Sequence, residues 1–444
     1  MAAQRASDVF LLPQETGFIV YAPLAGRAVH ANGECAAQLK RYLETGDPGM
    51  VSPQIVEQLG GLNWLHSRSA PIPLPVDRHY HPTAVTLFLT NSCNLRCEYC
   101  YAQAGELHPQ EMSPEVYRAA VDLVTRNARR AGAPVRIAFH GGGEPTLAWE
   151  TLQGVLDYAR HQYREKHQGK TQFALATNGV MPAAHREVVA SQFNHVTLSL
   201  DGPPDIQDAQ RPTPTGAGSF DQVMAFIAVL REHRTPFGLR ATITRRNVNR
   251  MAEMVDFFID RTECRHLHFE PLYPFGRGEQ VPEQVPDATM FATEFVQAMD
   301  RAQERDAVLR YSAARLPGPH LAFCACANDA FNVTPDGHVT ACFEVCHHSD
   351  PLWKKYCFGL FDQERARFAM DWERLEDLRR LTVDRQPRCE NCFAKWNCSG
   401  DCPAKNDRAL NSAEANPMRC QITQEILLAM LERTVNHAST RRMP

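Results

Sequence analysis

The sequence predicts an α/β protein: a partial (β/α)6 barrel, preceded by a small α+β unit and followed by a cysteine-rich domain. Three observations lead there. Between residues 83 and about 310, short apolar or β-branched runs alternate six times with amphipathic helical stretches. Ahead of them, SAPIPLPVDRHYHP is Pro-rich and without period, which reads as a linker. Beyond them helical periodicity fades and cysteines dominate, five in 324–357 and five in 389–420. The expected units are therefore 1–80, 83–312 and 315–435.

In the first unit, VFLLPQ and GFIVYAP read as two strands joined at Glu15-Thr16-Gly17. GECAAQLKRYLETG reads as a helix ended by Gly46, and VSPQIVEQLGGL as a second helix with Ser52 as N-cap. The barrel strands are TAVTLFLT (83–90), PVRIAFH (134–140), TQFALAT (171–177), HVTLSL (195–200), FGLRATIT (237–244) and HLHFEPLY (266–273). Helices are expected near 113–130, 148–167, 183–192, 219–233, 249–260 and 287–306. Such repeats build a parallel sheet with right-handed crossovers. Six repeats fall short of a closed barrel and leave a lateral opening for a large substrate. In the last unit, PDGH (335–338) reads as a turn between strands, and only QITQEILLAMLERTVNH looks helical.

Composition narrows the function. The chain has 444 residues, 44% of them hydrophobic, enough for a core and for two or three domains. A formal net charge of -4 offers no basic footprint for nucleic acid. No apolar run approaches the length of a membrane span, and MAAQRASDVFLLPQ lacks the apolar region of a signal peptide. A cytoplasmic protein without a membrane partner is expected. There the 15 cysteines suit metal or catalytic use better than disulfides.

Cys93, Cys97 and Cys100 sit in NSCNLRCEYCYA, spaced C-x3-C-x2-C, directly after the first barrel strand. In a parallel βα fold the loop after a strand is where active sites lie. A structural zinc would need a fourth ligand, and His79 and His81 lie upstream, beyond the strand. Three thiolates on a tight loop can instead hold three irons of a 4Fe-4S cluster and leave one iron open to a small chelating ligand.

This segment resembles the radical S-adenosylmethionine (radical SAM) enzymes. Their C-x3-C-x2-C motif follows the first strand of a partial barrel and has an aromatic residue, here Tyr99, before its last cysteine. The resemblance implies that the open iron chelates the amino and carboxylate groups of S-adenosylmethionine. One electron from the cluster then cleaves the C–S bond, and the 5′-deoxyadenosyl radical released takes hydrogen from a substrate. It further implies that GGGEP (141–145) meets the methionine amino group through Gly142, Gly143 and Glu144. Asn178 of ATNG and Ser199 of SLDG become candidates for the methionine carboxylate and ribose. Arg211, in DIQDAQRPTPTGAGSF, is a candidate partner of the carboxylate, and Ile243 of the adenine. Read without the family, these are a Gly-rich loop, a surface arginine and a core isoleucine.

The C-terminal cysteines run C-x10-G-x4-C through Cys326, Gly337 and Cys342, then C-x2-C-x5-C-x3-C at Cys389, Cys392, Cys398 and Cys402, with a final Cys420. This looks like the seven-cysteine SPASM domain of peptide-modifying radical SAM enzymes, which carries two auxiliary 4Fe-4S clusters. By that resemblance Cys389, Cys392, Cys398 and Cys420 hold the outer cluster. Cys342, Cys402 and one or both of Cys324 and Cys326 hold the inner one, giving three clusters with the S-adenosylmethionine-binding one. Cys346 and Cys357 stay unassigned.

Anaerobic sulfatase maturases resemble the chain over both domains, and their proposed base directly follows the second cysteine of the SPASM pattern. Here that position is Phe343, followed by Glu344, the candidate catalytic carboxylate. An extended segment would aim Glu344 away from the site. The N-terminal unit resembles the peptide-recognition domain of enzymes that modify ribosomally made peptides, to which a leader peptide adds as a strand. A simple cap on the barrel is the other reading. The whole points to oxidative modification of a side chain of a precursor peptide, with flavodoxin or ferredoxin as electron donor. Sulfatase maturation, forming formylglycine from Cys or Ser, is the alternative. A non-catalytic, zinc-binding, cysteine-rich module is the reading of another class.

Overall fold

The computed structural model describes residues 8–66, 80–164, 171–409 and 417–440. The expected linker at 69–82, and the boundary placed in it, lies outside these residues up to position 79.

The N-terminal unit is an antiparallel sheet of β1 (Phe10–Gln14), β2 (Gly17–Ala22) and β3 (Arg27–Ala31), in the order β1-β2-β3. The third strand, five residues long, was not among the two expected. Helix Gly33–Thr45 starts where the Asn32 side chain accepts from Cys35 N and stops at Gly46, whose φ of 74° suits glycine. Residues alternate across β2. Val20 packs with Leu39 and Tyr42 of the helix, while Ile19 and Tyr21 pack against Leu431 and Val435 of the C-terminal helix Pro417–Thr440.

All six expected barrel strands form: β4 (Ala84–Leu87), β5 (Arg136–Phe139), β6 (Gln172–Thr177), β7 (His195–Ser199), β8 (Phe237–Ile243) and β9 (His266–Pro271). A seventh, β10 (Val308–Arg310), pairs parallel with β9. The six expected helices appear as Pro114–Ala131, Trp149–Arg164, Ala183–Gln192, Phe220–Glu232, Met251–Thr262 and Ala288–Glu304. A further helix, Pro204–Gln210, lies within the segment read as a loop after the fourth strand.

The cysteine-rich part does not build a sheet of its own. β11 (Asn332–Val333) pairs parallel with β4, and β12 (His338–Thr340), β13 (Cys357–Asp362) and β14 (Arg367–Met370) continue antiparallel from it. The result is one 11-stranded sheet in the order β10-β9-β8-β7-β6-β5-β4-β11-β12-β13-β14. The PDGH turn joins β11 to β12, with Gly337 at φ 86°.

The main core lies between the parallel strands and their helices. Leu87, Phe139, Leu175, Leu198 and Phe269 are buried there with Val121, Leu152, Phe226 and Phe258. Fully burying each such side chain is worth roughly 1.5–3 kcal/mol. The alternate strand residues are small or polar: Ala138, His140, Ala174, Ser199, Arg240, His268 and Glu270. That side of the sheet is free for chemistry.

Candidate active site

The loop that leaves β4 carries Cys93, Cys97 and Cys100 and is held from three sides. Arg96 N and Glu98 N donate to Pro212 O and Gln210 O at 2.7 and 3.1 Å. The buried Arg277 donates from Nε to Cys97 O at 2.9 Å. Gly276, at φ 60°, lies so close that a Cβ there would stand 2.6 Å from Tyr101 O. Burial pushes the Cys93 thiol up to about 11 and the Cys97 thiol up to about 12, and each is raised further by its cysteine neighbours. Thiols such as Cys93 and Cys97, held neutral by their surroundings, become thiolates when a cation binds, which is the chemistry of a metal site.

GGGEP folds directly onto this loop. Glu144 N donates to Ser92 O at 2.8 Å, and a Cβ on Gly143 would stand 2.0 Å from that same oxygen. Glu144 is buried and its carboxylate is fully engaged. Oε1 accepts from Thr146 N, Thr146 Oγ1 and Thr177 Oγ1, and Oε2 from Asn178 N at 2.8 Å. It ties the loop after β5 to the loop after β6. Asn178 then donates to Asn94 Oδ1 at 2.8 Å and reaches Cys93 Sγ at 3.8 Å. Gly142, Gly143, Glu144 and Asn178 are thus brought against the first cysteine group.

Arg211 and Tyr99 meet at Asp201, the aspartate of SLDG. Asp201 is fully buried. It accepts from Tyr99 Oη, from Gln210 Nε2 at 2.8 Å, from Thr242 N at 2.9 Å and from Arg211 Nη2 at 3.2 Å. Arg211 lies over the Tyr99 ring at 5.3 Å and reaches Cys97 Sγ at 3.9 Å. It is not a surface arginine: Asp201 holds its charge beside the cysteine loop. The only cue in the sequence was a charged residue ending a buried strand. Ser199 ends β7 half-buried on the polar side of the sheet. Ile243 is fully buried on the helix-facing side of β8 with Leu239 and Ala241, and Arg240 and Thr242 occupy the other side. Its placement is that of a core residue and presents no surface to an adenine.

Eight of the remaining cysteines gather in two sets of four. Cys326 is influenced by Cys324, Cys342 and Cys402, and Cys342 by Cys402 and Cys324. Cys398 is influenced by Cys420 and Cys389, and Cys392 by Cys420. Both Cys324 and Cys326 thus lie near Cys342 and Cys402. Sets of four thiolates are a donor type that a four-iron cluster accepts, as the resemblance implies. Cys346 lies in the cluster of Phe88, Ala102 and Ala104, near Cys100 and Tyr101, and Cys357 is on β13.

Residues 341–346 turn, with Val345 N donating to Cys342 O at 3.3 Å. This corrects the extended geometry expected there, and the turn brings Glu344 to the inner set. Its Oε1 accepts from Lys405 Nζ at 2.6 Å, and its buried Oε2 has no hydrogen-bond partner. Lys405 lies three residues past Cys402, and Glu344 two past Cys342. Phe343 stacks on His140 with ring centroids 4.7 Å apart. Burial first, then Arg240, pushes His140 down to about 4, so its ring is neutral at pH 7.

Comparison with known proteins agrees with this geometry. Residues 87–258 match the Radical SAM superfamily. Mycofactocin maturase MftC of Mycolicibacterium smegmatis is 28% identical over 355 residues, 75% of this chain and 82% of that protein. Fe-coproporphyrin III synthase of Methanosarcina barkeri is 26% identical over 375 residues, 76% of this chain and 87% of that protein. A solved structure of native anSMEcpe with bound AdoMet shares the fold, with a TM-score of 0.65 at 20% identity over 81% of this chain and all (100%) of that one. Streptococcus suis SuiB bound to S-adenosylmethionine gives 0.52 at 14% identity, covering 91% and 97%.

Proposed function

Because the chain is a radical SAM enzyme related to peptide maturases and sulfatase maturases, we propose that it oxidatively modifies a side chain of a ribosomally synthesised precursor peptide. Enzymatic relatives of this kind also set aside the non-catalytic zinc module. The family implies S-adenosylmethionine and a 4Fe-4S cluster, which together supply, when bound, a 5′-deoxyadenosyl radical that takes hydrogen from the substrate. Cys93, Cys97 and Cys100 would hold that cluster. The two sets of four would hold two auxiliary clusters that take up the electron left by oxidation.

The chain's own residues do the positioning. The Gly142–Gly143 turn and Asn178 face the first cysteine group, and the Asp201–Arg211 pair fixes the loop that bears it. Glu344 takes the proton released on oxidation. Its carboxylate is held by Lys405 on one oxygen and bare on the other. A reduced flavodoxin or ferredoxin in the cytoplasm supplies the electron. Among the described residues no helix is long and apolar enough to cross a membrane.

The observation that carries the peptide reading is the N-terminal sheet. Among the described residues β3 is paired on one side only, and a leader peptide can extend it by main-chain hydrogen bonds. A second reading, iron–tetrapyrrole chemistry, is favoured by the likeness to Fe-coproporphyrin III synthase. Sulfatase maturation has weaker support here, since Phe343 follows Cys342 directly and the likeness to anSMEcpe is one of fold. The deciding experiment gives anaerobically reduced enzyme and S-adenosylmethionine a choice of precursor peptides from neighbouring reading frames, a Cys/Ser sulfatase peptide or Fe-coproporphyrin III. Substrate-dependent 5′-deoxyadenosine and a hydrogen-deficient product are expected with a precursor peptide. Turnover confined to either of the others would replace the proposal.

A further inference from the structure

We propose that Asp336, His338 and His348 form a binding site for one divalent first-row transition-metal ion, distinct from the cysteine sites. Among the described residues this is the one group of three histidine, cysteine or carboxylate ligands whose donor atoms all lie within 4.8 Å of one another. The spacing is that of a single ion. Bonds of about 2.0–2.1 Å at tetrahedral angles set ligand atoms about 3.3 Å apart. Asp336 Oδ2 lies 3.2 Å from His338 Nδ1 and 3.0 Å from His348 Nε2.

The local chemistry favours a cation over a plain ion pair. His338 Nδ1 is buried and faces the Asp336 carboxylate at 3.2 Å without well-aligned hydrogen-bond geometry. The two imidazole rings stand at 88° with centroids 4.4 Å apart, so they converge on a point without stacking. The other carboxylate oxygen, Oδ1, accepts from the Thr334 hydroxyl, which also accepts from His338 N at 3.0 Å. Metal-bound carboxylates are oriented by such partners. Gly337, at φ 86° between Asp336 and His338, makes the turn that puts both side chains on one site. Trp353 closes one wall, 5.2 Å from His338 and 4.4 Å from His348. The His348 side chain is 56% exposed, which leaves a fourth position to water. Two imidazoles and a carboxylate suit zinc or ferrous iron.

The site joins two segments that matter elsewhere. Asp336 and His338 belong to the β11–β12 turn, and His348 to the stretch that follows Glu344 and Cys346. A bound ion would clamp that stretch to the sheet and steady the Cys342–Cys346 turn.

The test uses cluster-loaded enzyme dialysed against zinc, with metals counted by mass spectrometry and the zinc edge examined by X-ray absorption. One zinc per chain is expected beyond the cluster iron, with a nitrogen/oxygen shell near ~2.0 Å and no sulfur near ~2.3 Å. The double variant His338→Asn/His348→Asn should lose this zinc and keep its iron. Asp336→Asn, a milder change that keeps the turn, should weaken zinc at least about 10-fold. Zinc that is not retained by the wild type, that shows a sulfur shell, or that persists undiminished in both variants overturns the proposal.

Discussion

Gly143 shows how much the site depends on one missing side chain. A Cβ there would stand 2.0 Å from Ser92 O and 2.7 Å from the Asn91 carbonyl carbon, both backbone atoms of the cysteine loop. Backbone cannot swing aside as a side chain can, so Gly143→Ala must push the loop. We expect a loss of about 1–3 kcal/mol, as for overpacking, and loss of iron from the first cysteine group, read by thermal unfolding and by electron paramagnetic resonance of the S-adenosylmethionine-responsive cluster. Gly33→Ala meets nothing within 4 Å and should leave both unchanged. GGGEP was recognisable in the sequence as a place of close approach, but what it approaches was not. The same limit holds for Glu144 and Asp201. A carboxylate at a strand end is visible in a sequence. That Thr146, Thr177 and Asn178 consume the first, and Tyr99 and Arg211 the second, depends on strands that lie side by side.

At the scale of elements, long amphipathic helices and apolar strands were legible, because each repeats its pattern often enough to be read. β3, β10 and helix Pro204–Gln210 were not. A strand of three residues such as β10 shows no period and exists because the edge of β9 accepts it. β3 matters most for function. Pro13 takes a donor from the outer edge of β1, whereas RAVHA in β3 contains no proline. β3 is therefore the better edge for a leader peptide. Successive amides of a strand point to opposite sides, so of Ala28→Pro and Val29→Pro one breaks the ladder to β2 and the other blocks the open edge. The variant that stays folded should lose binding of a labelled leader peptide, measured by fluorescence anisotropy. Undiminished binding in that variant would mean that the leader docks elsewhere.

At the scale of the molecule, the parallel sheet and the cysteine-rich part are one structure. β11 pairs with β4, the strand that delivers Cys93, so the inner cysteine set is built on the same sheet as the first cysteine group. The buried Arg419 strengthens the join. It pairs with Asp401 beside Cys402 at 2.8 Å and reaches Glu270 of β9 at 3.4 Å. Losing the first cluster should nonetheless spare the others, since its three ligands lie on a loop and not in this shared framework. Replacing Cys93, Cys97 and Cys100 together by Ala should abolish 5′-deoxyadenosine formation while leaving about eight of about twelve irons bound. Persistent cleavage, or loss of all iron, would show the sites to be misassigned or inseparable. The sequence alone determined the class of chemistry, because cysteine spacing and strand–loop order are local and survive in a linear reading. Only the tertiary structure decided that Cys324 and Cys326 both lie near Cys342 and Cys402, that Glu344 turns toward them, and that Asp336, His338 and His348 meet. Those are long-range or turn-dependent contacts, and a chain read in one dimension carries no measure of distance across its own folds.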